Sequence, residues 1–486
     1  MTKKKFYITT SIAYTNTTPH LGFALELTQA DVLARYHRFL GKDVFYLTGT
    51  DEHGQKVAKA AEKAGKTPKK FCDEISAKFR ALKKALNLSN NDFIRTTDRK
   101  RHWPAVREVW LKLKENGDIY KKKYKGFYCL GCEAFITKKD LKDGKCVFHQ
   151  REPEVLEEEN YFFRLSKYSK KIKEIIEKGK IKIIPESGKK EMINFLKQGL
   201  EDISFSRPRK DLKWGIPVPD DQTQTIYVWA DALTNYLSAL GYGQNEEKFK
   251  KYWPPDVQCI GKDILKFHAL IWPAMLLSLK LQLPKVIFVH GFLNVAGQKM
   301  SKSLGNVINP FDLVKKYGTD AVRYFLLREI PPTQDGDFTY EKFEKRYNSD
   351  LAGGLGNLVA RVITMASKFK IQNSKFKIKI QNLKLKQEIE KTRKNWQAAL
   401  EEFKFNEALS CIWDLISFCD RYIEKERPWE LVKSKVKSQK SKVVISDLLL
   451  TISEIAEMLE PFLPDTSKRI FQQLKEKTRK PLFPKI

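Results

Sequence analysis

The chain has 486 residues, 42% of them hydrophobic and 12% aromatic, enough for roughly two to four separate cores. Lysine and arginine outnumber aspartate and glutamate 90 to 59, a formal charge of +31. That excess favours a polyanionic partner, nucleic acid first, with a lysine-solvated surface as the plainer alternative. No apolar run approaches the ~20 residues of a membrane span, and the start, MTKKKFYITTS, runs straight into a strand rather than a secretory leader. The expectation is a cytoplasmic protein with no membrane partner.

In chain order, residues 1–115 read as a strand (KKKFYITTSIA), a turn (YTNTTPHLG), a helix (ALELTQADVLARYHRFLG), a second strand (KDVFYLTGT), the turn DEHGQ and further helices. This βαβ alternation predicts a parallel sheet covered by helices. Between 116 and 225 the character changes to short strands, turns and a Cys/His cluster. Strand–helix order resumes over 226–325, in QTIYVWADALTNYLSALG, DVQCIGKDILKFHALIWPAMLLSL and PKVIFVHGF. The middle block therefore reads as an insertion between two halves of one α/β domain.

Over 326–486 apolar residues recur at i, i+3 and i+4, which predicts a helix bundle. Two lysine tracts interrupt it, KFKIQNSKFKIKIQNLKLK (368–386) and VKSKVKSQKSKVV (432–444). The first carries a loose repeat that reads as a surface excursion or a short hairpin. Both tracts can touch RNA electrostatically or merely solvate the surface.

Seven cysteines do not make a disulfide framework in a chain of this length. Cys72, Cys259, Cys411 and Cys419 lie in or beside apolar segments and read as buried thiols. Cys129, Cys132, Cys146 and His149 are spaced C-x2-C, thirteen residues, C-x2-H. Each short pair aims two ligands at one point, and two such knuckles complete a tetrahedron around one Zn²⁺. Four protein ligands leave no position for a substrate water, so the predicted metal is structural, and its loss unfolds the module.

The turn after the first strand has a chemical reading. At the C-terminal edge of a parallel sheet, a helix start offers N–H groups and the positive end of its dipole to phosphate. Pro19 and Gly22 let the backbone approach, and His20 adds a donor; read alone, His20 can equally be a cap. The second piece is GQKMSKSLGN, with Lys299 and Lys302 three apart on a Gly-flanked loop that can bring cations to a pyrophosphate as charge develops. P-H-L-G after the first strand and K-M-S-K-S after the last together resemble the paired signatures of class I aminoacyl-tRNA synthetases. Those enzymes form an aminoacyl adenylate from ATP and pass the acyl group to tRNA.

Within that class the chain is similar to the methionyl-tRNA synthetases along nearly its whole length. The stretches that carry the likeness are TSIAYTNTTPHLG, DVLARYHRFLGKDVFYLTGTDEHGQK, YVWADALTNYLSALGY, GKDILKFHALIWPAML and HGFLNVAGQKMSKSLGN. The resemblance implies a Rossmann-type catalytic domain split by the zinc-bearing insert, then a stem-contact region and a helical anticodon-binding domain. It implies L-methionine, ATP with Mg²⁺, and tRNA(Met) as substrates and partners.

It also implies that Ile12, Tyr14, Trp229, Leu233, Tyr236, His268 and Trp272 form the methionine pocket. Asp51, at the end of the second strand, would pair with the substrate ammonium. A flexible, polarizable thioether suits such aromatic walls. Gly261, Asp263 and Asn294 are expected at the nucleotide with His20, Gly22, Lys299 and Lys302. Asn357, Arg361 and Trp429 match the family's anticodon readers, two for base edges and one for stacking.

The departure from the family pattern is Phe23, where relatives usually carry a second histidine. Phenylalanine cannot donate to phosphate, and losing one preorganised donor costs on the order of 2.7–4 kcal/mol of barrier. The expectation is activity reduced or compensated rather than abolished. The rival from another class is a tRNA-binding paralogue that has lost adenylate formation. A nucleotidylyltransferase would leave the zinc module and basic bundle unexplained, and a cysteine-activating relative would hold zinc in its active site. With no further domain after PLFPKI, a monomer is expected.

Overall fold

The computed structural model describes residues 3–131, 134–136, 140–147, 150–300, 305–369, 380–430, 435–476, 478 and 480–486. The chain divides into two compact units. The first comprises Met1–Pro19, His37–Lys83 and Ser89–His290, the second His20–Tyr36, Lys84–Leu88 and Gly291–Ile486.

A six-stranded sheet is the frame of the first unit. Its strands are β1 (Lys5–Tyr14), β2 (Asp43–Asp51), β3 (Asp92–Arg95), β4 (Lys182–Ile184), β5 (Val257–Gly261) and β6 (Val286–His290), in the order β3-β2-β1-β5-β6-β4. Every adjacent pair is parallel. The apolar runs VFYLT, VQCI and VIFVH suit strands covered on both faces rather than one, and β2 is buried along nearly its whole length. Chain order reverses between β1 and β5, the place where open parallel sheets leave a crevice at their C-terminal edge. Tyr14, Asp51, Gly261 and His290, the last residues of four central strands, all lie along that edge.

One irregularity shapes the edge. Thr9 faces Leu47 but Ile12 faces Gly49, so β1 spends one residue more than β2. Such a bulge shifts which side chains point to a given face. Gly49 is required beside it, because a Cβ there would lie 2.1 Å from the Ile94 carbonyl oxygen and 3.0 Å from Ile12 Cγ2.

Among its described residues the 116–225 stretch holds three small antiparallel sheets, one built on the pairing of Ile119–Cys129 with Glu154–Phe163, one on Asp221–Ile226, and a two-stranded one of Leu141–Lys142 with Lys145–Cys146. In the first, Lys123 opposes Glu159 and Lys125 opposes Glu157, so cross-strand pairing offsets much of that lysine charge. Residues 182–184 within this stretch give the parallel sheet its edge strand, β4, beside β6.

The second unit is mostly helical, with helices Thr319–Arg328, Asn357–Lys368, Leu383–Glu401, Phe405–Glu426, Lys435–Leu459 and Pro464–Glu476. The apolar stretch NSDLAGGLGNLVARVITMASKF, from Asn348, is helical in two parts. Tyr347–Gly356, which holds three glycines, takes wide i→i+5 turns before regular helix begins at Asn357. The second lysine tract does not interrupt the bundle where it is described. From Lys435 it is helix, because Ser441, Val444, Ile445 and Leu448 already carry the buried stripe. Most of the first tract lies outside the described residues, though helix resumes at Leu383 behind the Asn382 cap. Cys72, Cys259 and Cys419 are buried as expected, whereas Cys411 is only partly so.

Inside this unit Arg323 is completely buried. Its guanidinium donates to Asp31 Oδ2 at 2.8 Å and to the carbonyls of Leu86, Phe462 and Pro461 at 3.0, 2.7 and 2.9 Å. It therefore ties the helix that follows His20 to the turn before Pro464–Glu476. Arg323→Met is expected to cost about 3 kcal/mol, because three interior carbonyls lose a donor while Asp31 keeps only Arg35, at 2.8 Å. A fall in the urea midpoint of the bundle would show it.

Candidate functional site

In the first unit the sheet edge gathers several of the expected residues. Parallel register sets Ile12 beside Gly49 and Tyr14 beside Asp51, and Thr15 closes the edge by donating its N–H to the Asp51 carbonyl at 3.0 Å. Ile12 and Tyr14, two apart, share one face and stay half-buried. Asp51 is 9% exposed. Ile12, Tyr14 and Trp229 pack against the same apolar cluster that contains Leu233, Tyr236 and Trp272.

The helical stretch that holds Trp229 and Tyr236 is broken at Thr234 into Val228–Leu233 and Asn235–Ser238. His268 likewise stands in a stretch of wide turns, Phe267–Ile271, that passes into regular helix at Trp272. These departures bring the rings together. Tyr236 lies 5.8 Å from both His268 and Trp272, centroid to centroid. Trp229 stacks on Phe267 at 3.6 Å and 10°, a partner the sequence did not single out.

His268 has a defined tautomer. Its Nδ1–H donates to the Ile264 carbonyl at 3.1 Å, so Nε2 is left to accept the Tyr236 hydroxyl at 2.8 Å. Burial pushes its pKa down from the ordinary 6.5 to about 4, against a raising effect of the Ile264 carbonyl. The ring is therefore neutral at physiological pH, and the cluster of Tyr236, His268 and Trp272 is aromatic and uncharged.

Asp263 is exposed just beyond β5, and Gly261 permits its approach, since a Cβ on Gly261 would sit 2.8 Å from Asp263 Oδ1. Sequence reading missed His53, His102 and Asp231. These form a buried hydrogen-bonded group behind the same edge, although DEHG displayed His53 and VWADAL displayed Asp231.

In the second unit the turn before the first helix is tighter than expected. Leu21 donates its N–H to the Ile308 carbonyl at 3.0 Å, and Gly22 donates its N–H to His20 Nδ1 at 3.2 Å. Those two amides are thus already engaged rather than open to an anion. In a neutral ring this leaves the His20 proton on Nε2, as a donor. Met300 comes in behind, with its methyl 3.3 Å from where a Gly22 Cβ would stand.

Asn294 and Lys299 are paired across a short hairpin turned by Ala296 and Gly297, both at positive φ, as two-residue turns require. Lys299 is exposed, with Nζ 4.7 Å from the Phe292 ring centroid. Lys302 lies outside the described residues.

Asn357 and Arg361 stand one turn apart on Asn357–Lys368, Asn357 exposed. Arg361 pairs with Asp420 at 3.3 Å and Glu424 at 2.5 Å, near the end of Phe405–Glu426. That helix ends at Arg427 in the left-handed region, and Trp429 follows, 38% exposed.

Of the four expected zinc ligands, Cys132 and His149 lie outside the described residues. Cys129 and Cys146 are nearly inaccessible, form no disulfide and share one small cluster with Ile136, against which Phe127 and Leu141 pack. Among the described residues no group of three or more His, Cys, Asp or Glu is arranged to hold a metal, and no helix is long and apolar enough to cross a membrane.

The chain was compared with known proteins. A model of class I tRNA synthetases (M) matches residues 6–141 and 136–363, and a model of the anticodon-binding domain of tRNA ligases matches 383–484. The methionine–tRNA ligase of Thermotoga maritima is 45% identical over 476 residues, 97% of this chain and 75% of that protein. That of Clostridium perfringens is 47% identical over 487 residues, 98% of this chain and 74% of that protein. Among solved structures, Mycobacterium tuberculosis methionyl-tRNA synthetase in complex with methionyl-adenylate superposes with a TM-score of 0.90 at 35% identity, covering 99% of this chain and 100% of that one.

The His268 environment generates a pH signature. Its folded pKa is depressed, so its penalty is absent above the ordinary 6.5 and grows as pH falls toward about 4. Over that window it is expected to remove up to about 3 kcal/mol of stability. His268→Gln should lose correspondingly less than the native chain between the two pH values, read as urea midpoints.

Proposed function

We propose how the residues just described divide the work of the class I methionyl-tRNA synthetases, the family to which this chain belongs. The chain activates L-methionine with ATP to methionyl-adenylate, releasing pyrophosphate, and transfers the methionyl group to tRNA(Met). It is an ATP-dependent ligase, and its anticodon-binding domain engages the tRNA. The observation that carries this is the likeness to methionine–tRNA ligases over 97% of the chain.

In the reading we favour, Asp51 accepts the substrate ammonium, and Ile12, Tyr14, Trp229, Leu233, Tyr236, His268 and Trp272 enclose the thioether side chain. The neutral His268 leaves no net charge to desolvate beside sulfur. Gly261 permits close approach of adenosine and Asp263 takes its ribose hydroxyls, with Asn294 also on the nucleotide. His20, through Nε2, with Gly22, Lys299 and Lys302, serves the phosphates; Mg²⁺ arrives with ATP as part of the substrate. Attack of the methionine carboxylate on the α-phosphorus then expels pyrophosphate, whose growing charge the lysines and His20 oppose.

Asn357, Arg361 and Trp429 would read the anticodon, Trp429 by stacking. Because two carboxylates already hold Arg361, its fork is preorganised, and a base must share it or displace one of them. Residues 1–115 and 226–325 act as halves of the catalytic domain, 116–225 as the connective insert and 326–486 as stem-contact region and anticodon bundle. The protein works in the cytoplasm as a monomer.

One Zn²⁺ fits the 116–225 insert. Two buried, unoxidised thiols in one small cluster are soft donors of the right kind, and Cys132 and His149 would complete the set. When bound, the ion would supply a structural cross-link. Metal analysis of the purified chain should find about one zinc per chain, lost in Cys146→Ser together with the fold of the module.

The central test is methionine-dependent ATP–pyrophosphate exchange without tRNA. Exchange is expected with L-methionine, and Asp51→Asn should raise the KM for methionine about tenfold or more with the KM for ATP nearly unchanged. Phe23→His should speed exchange, by at most the ~100–1000-fold that one preorganised donor supplies. Silence in the native chain with recovery in Phe23→His would point instead to a tRNA-binding relative disabled at one residue.

A further inference from the structure

Behind the sheet edge lies a group of ionisable side chains that no step above uses. His53 donates Nδ1–H to Asp231 Oδ2 at 2.6 Å, and His102 donates Nε2–H to Asp231 Oδ1 at 2.7 Å. His102 Nδ1 in turn meets Ser238 Oγ at 2.8 Å. All three of His53, His102 and Asp231 are buried. Burial pushes the Asp231 carboxyl up, but the two histidines outweigh it and hold it below the usual carboxylate value. A carboxylate kept ionised in the interior is costly unless fully paired, and here both oxygens are.

What the group connects is more informative than its charge. His53 stands two residues after Asp51, in the turn that leaves β2. That turn is pinned elsewhere too: Glu52 N–H donates to Thr96 Oγ1 at 2.9 Å, and Gly54 N–H to the Trp214 carbonyl at 3.0 Å. The His53 ring is flanked edge-on by Trp103 and Trp214 at 6.0 and 5.4 Å. Asp231 lies midway between Trp229 and Leu233 on Val228–Leu233, and helical periodicity puts those two on one side and Asp231 on the other. His102 opens the helix His102–Glu115.

Resting on the reading that Asp51 takes the ammonium and that Trp229 and Leu233 wall the side chain, we propose that Asp231 is a positioning residue. By holding His53 and His102 it fixes the separation between the carboxylate that binds the amino group and the wall that receives the thioether. The enzyme thus measures its amino acid from ammonium to side chain with one buried clamp. A shift of an ångström at either end would misplace the carboxylate that must attack ATP.

The test compares L-methionine with its analogue lacking the amino group, 4-(methylsulfanyl)butanoate, which can use the wall but not Asp51. In Asp231→Asn the KM for methionine in pyrophosphate exchange should rise roughly tenfold or more, while the inhibition constant of the analogue and the KM for ATP stay within about twofold. His53→Ala should repeat that pattern, and His53→Asn, whose amide nitrogen stands near the former Nδ1, should restore near-native values. The two His53 variants keep the test open if Asp231→Asn does not fold. Parallel loss of both ligands, or no loss of methionine in folded Asp231→Asn and His53→Ala, would overturn the proposal. Asp51→Asn run alongside separates the premises: if it leaves methionine untouched, the assignment of Asp51 fails, whatever Asp231 does.

Discussion

Parallel pairing of β1 with neighbours on both sides is the constraint on which the first unit depends. A central strand must satisfy its N–H and C=O groups in two directions, so its register against β2 and β5 is fixed together. Once fixed, the last residues of β1, β2, β5 and β6 fall along one edge, and the turns beyond them inherit that address. The bulge between Thr9 and Ile12 is the one place where β1 breaks step with β2, and Gly49 beside it lacks the side chain that would meet the Ile94 carbonyl of β3. Tyr14 and Asp51 are neighbours because of that register, not because of any affinity between them.

Three buried charges among the described residues are handled the same way: each has partners for its charged atoms. Glu52 is held by both nitrogens of the Arg95 fork, at 2.6 and 2.8 Å, Asp231 by two imidazoles, and Arg323 by one carboxylate and three carbonyls. Such groups add little net stability against apolar replacements of similar shape. Their value lies in direction, since a satisfied fork or imidazole tolerates one geometry and an apolar contact tolerates several. It is consistent with this that Glu52, and His53 as one of the two imidazoles on Asp231, sit in the turn directly after Asp51.

The structure also limits what the large positive charge can mean. In the 116–225 stretch strand lysines face glutamates across the sheet, and Arg361 is shared between Asp420 and Glu424. The excess of +31 is thus not uniformly available to a polyanion. Exposed groups such as Lys299 are what long-range attraction acts through, and salt screens them most strongly.

Much was legible in the sequence, for definite reasons. Apolar runs of strand length bounded by turns determined the parallel sheet, and the i, i+3, i+4 stripes determined the bundle, because burial periodicity follows local geometry. The motif pairs P-H-L-G and K-M-S-K-S, with the likeness spread along the chain, determined the family. Where helices break at Thr234 and widen at Phe267 and Tyr347 was not legible, since those turns answer to packing rather than propensity. Nor could the sequence show that Gly22 N–H is spent on His20, that Trp229 rests on Phe267, or that residues 182–184 join the parallel sheet. Asp231 displays the division most plainly. Its letter lies open in VWADAL, but its partners are 178 and 129 residues away, and only the fold decides that two histidines and one carboxylate meet where water is excluded.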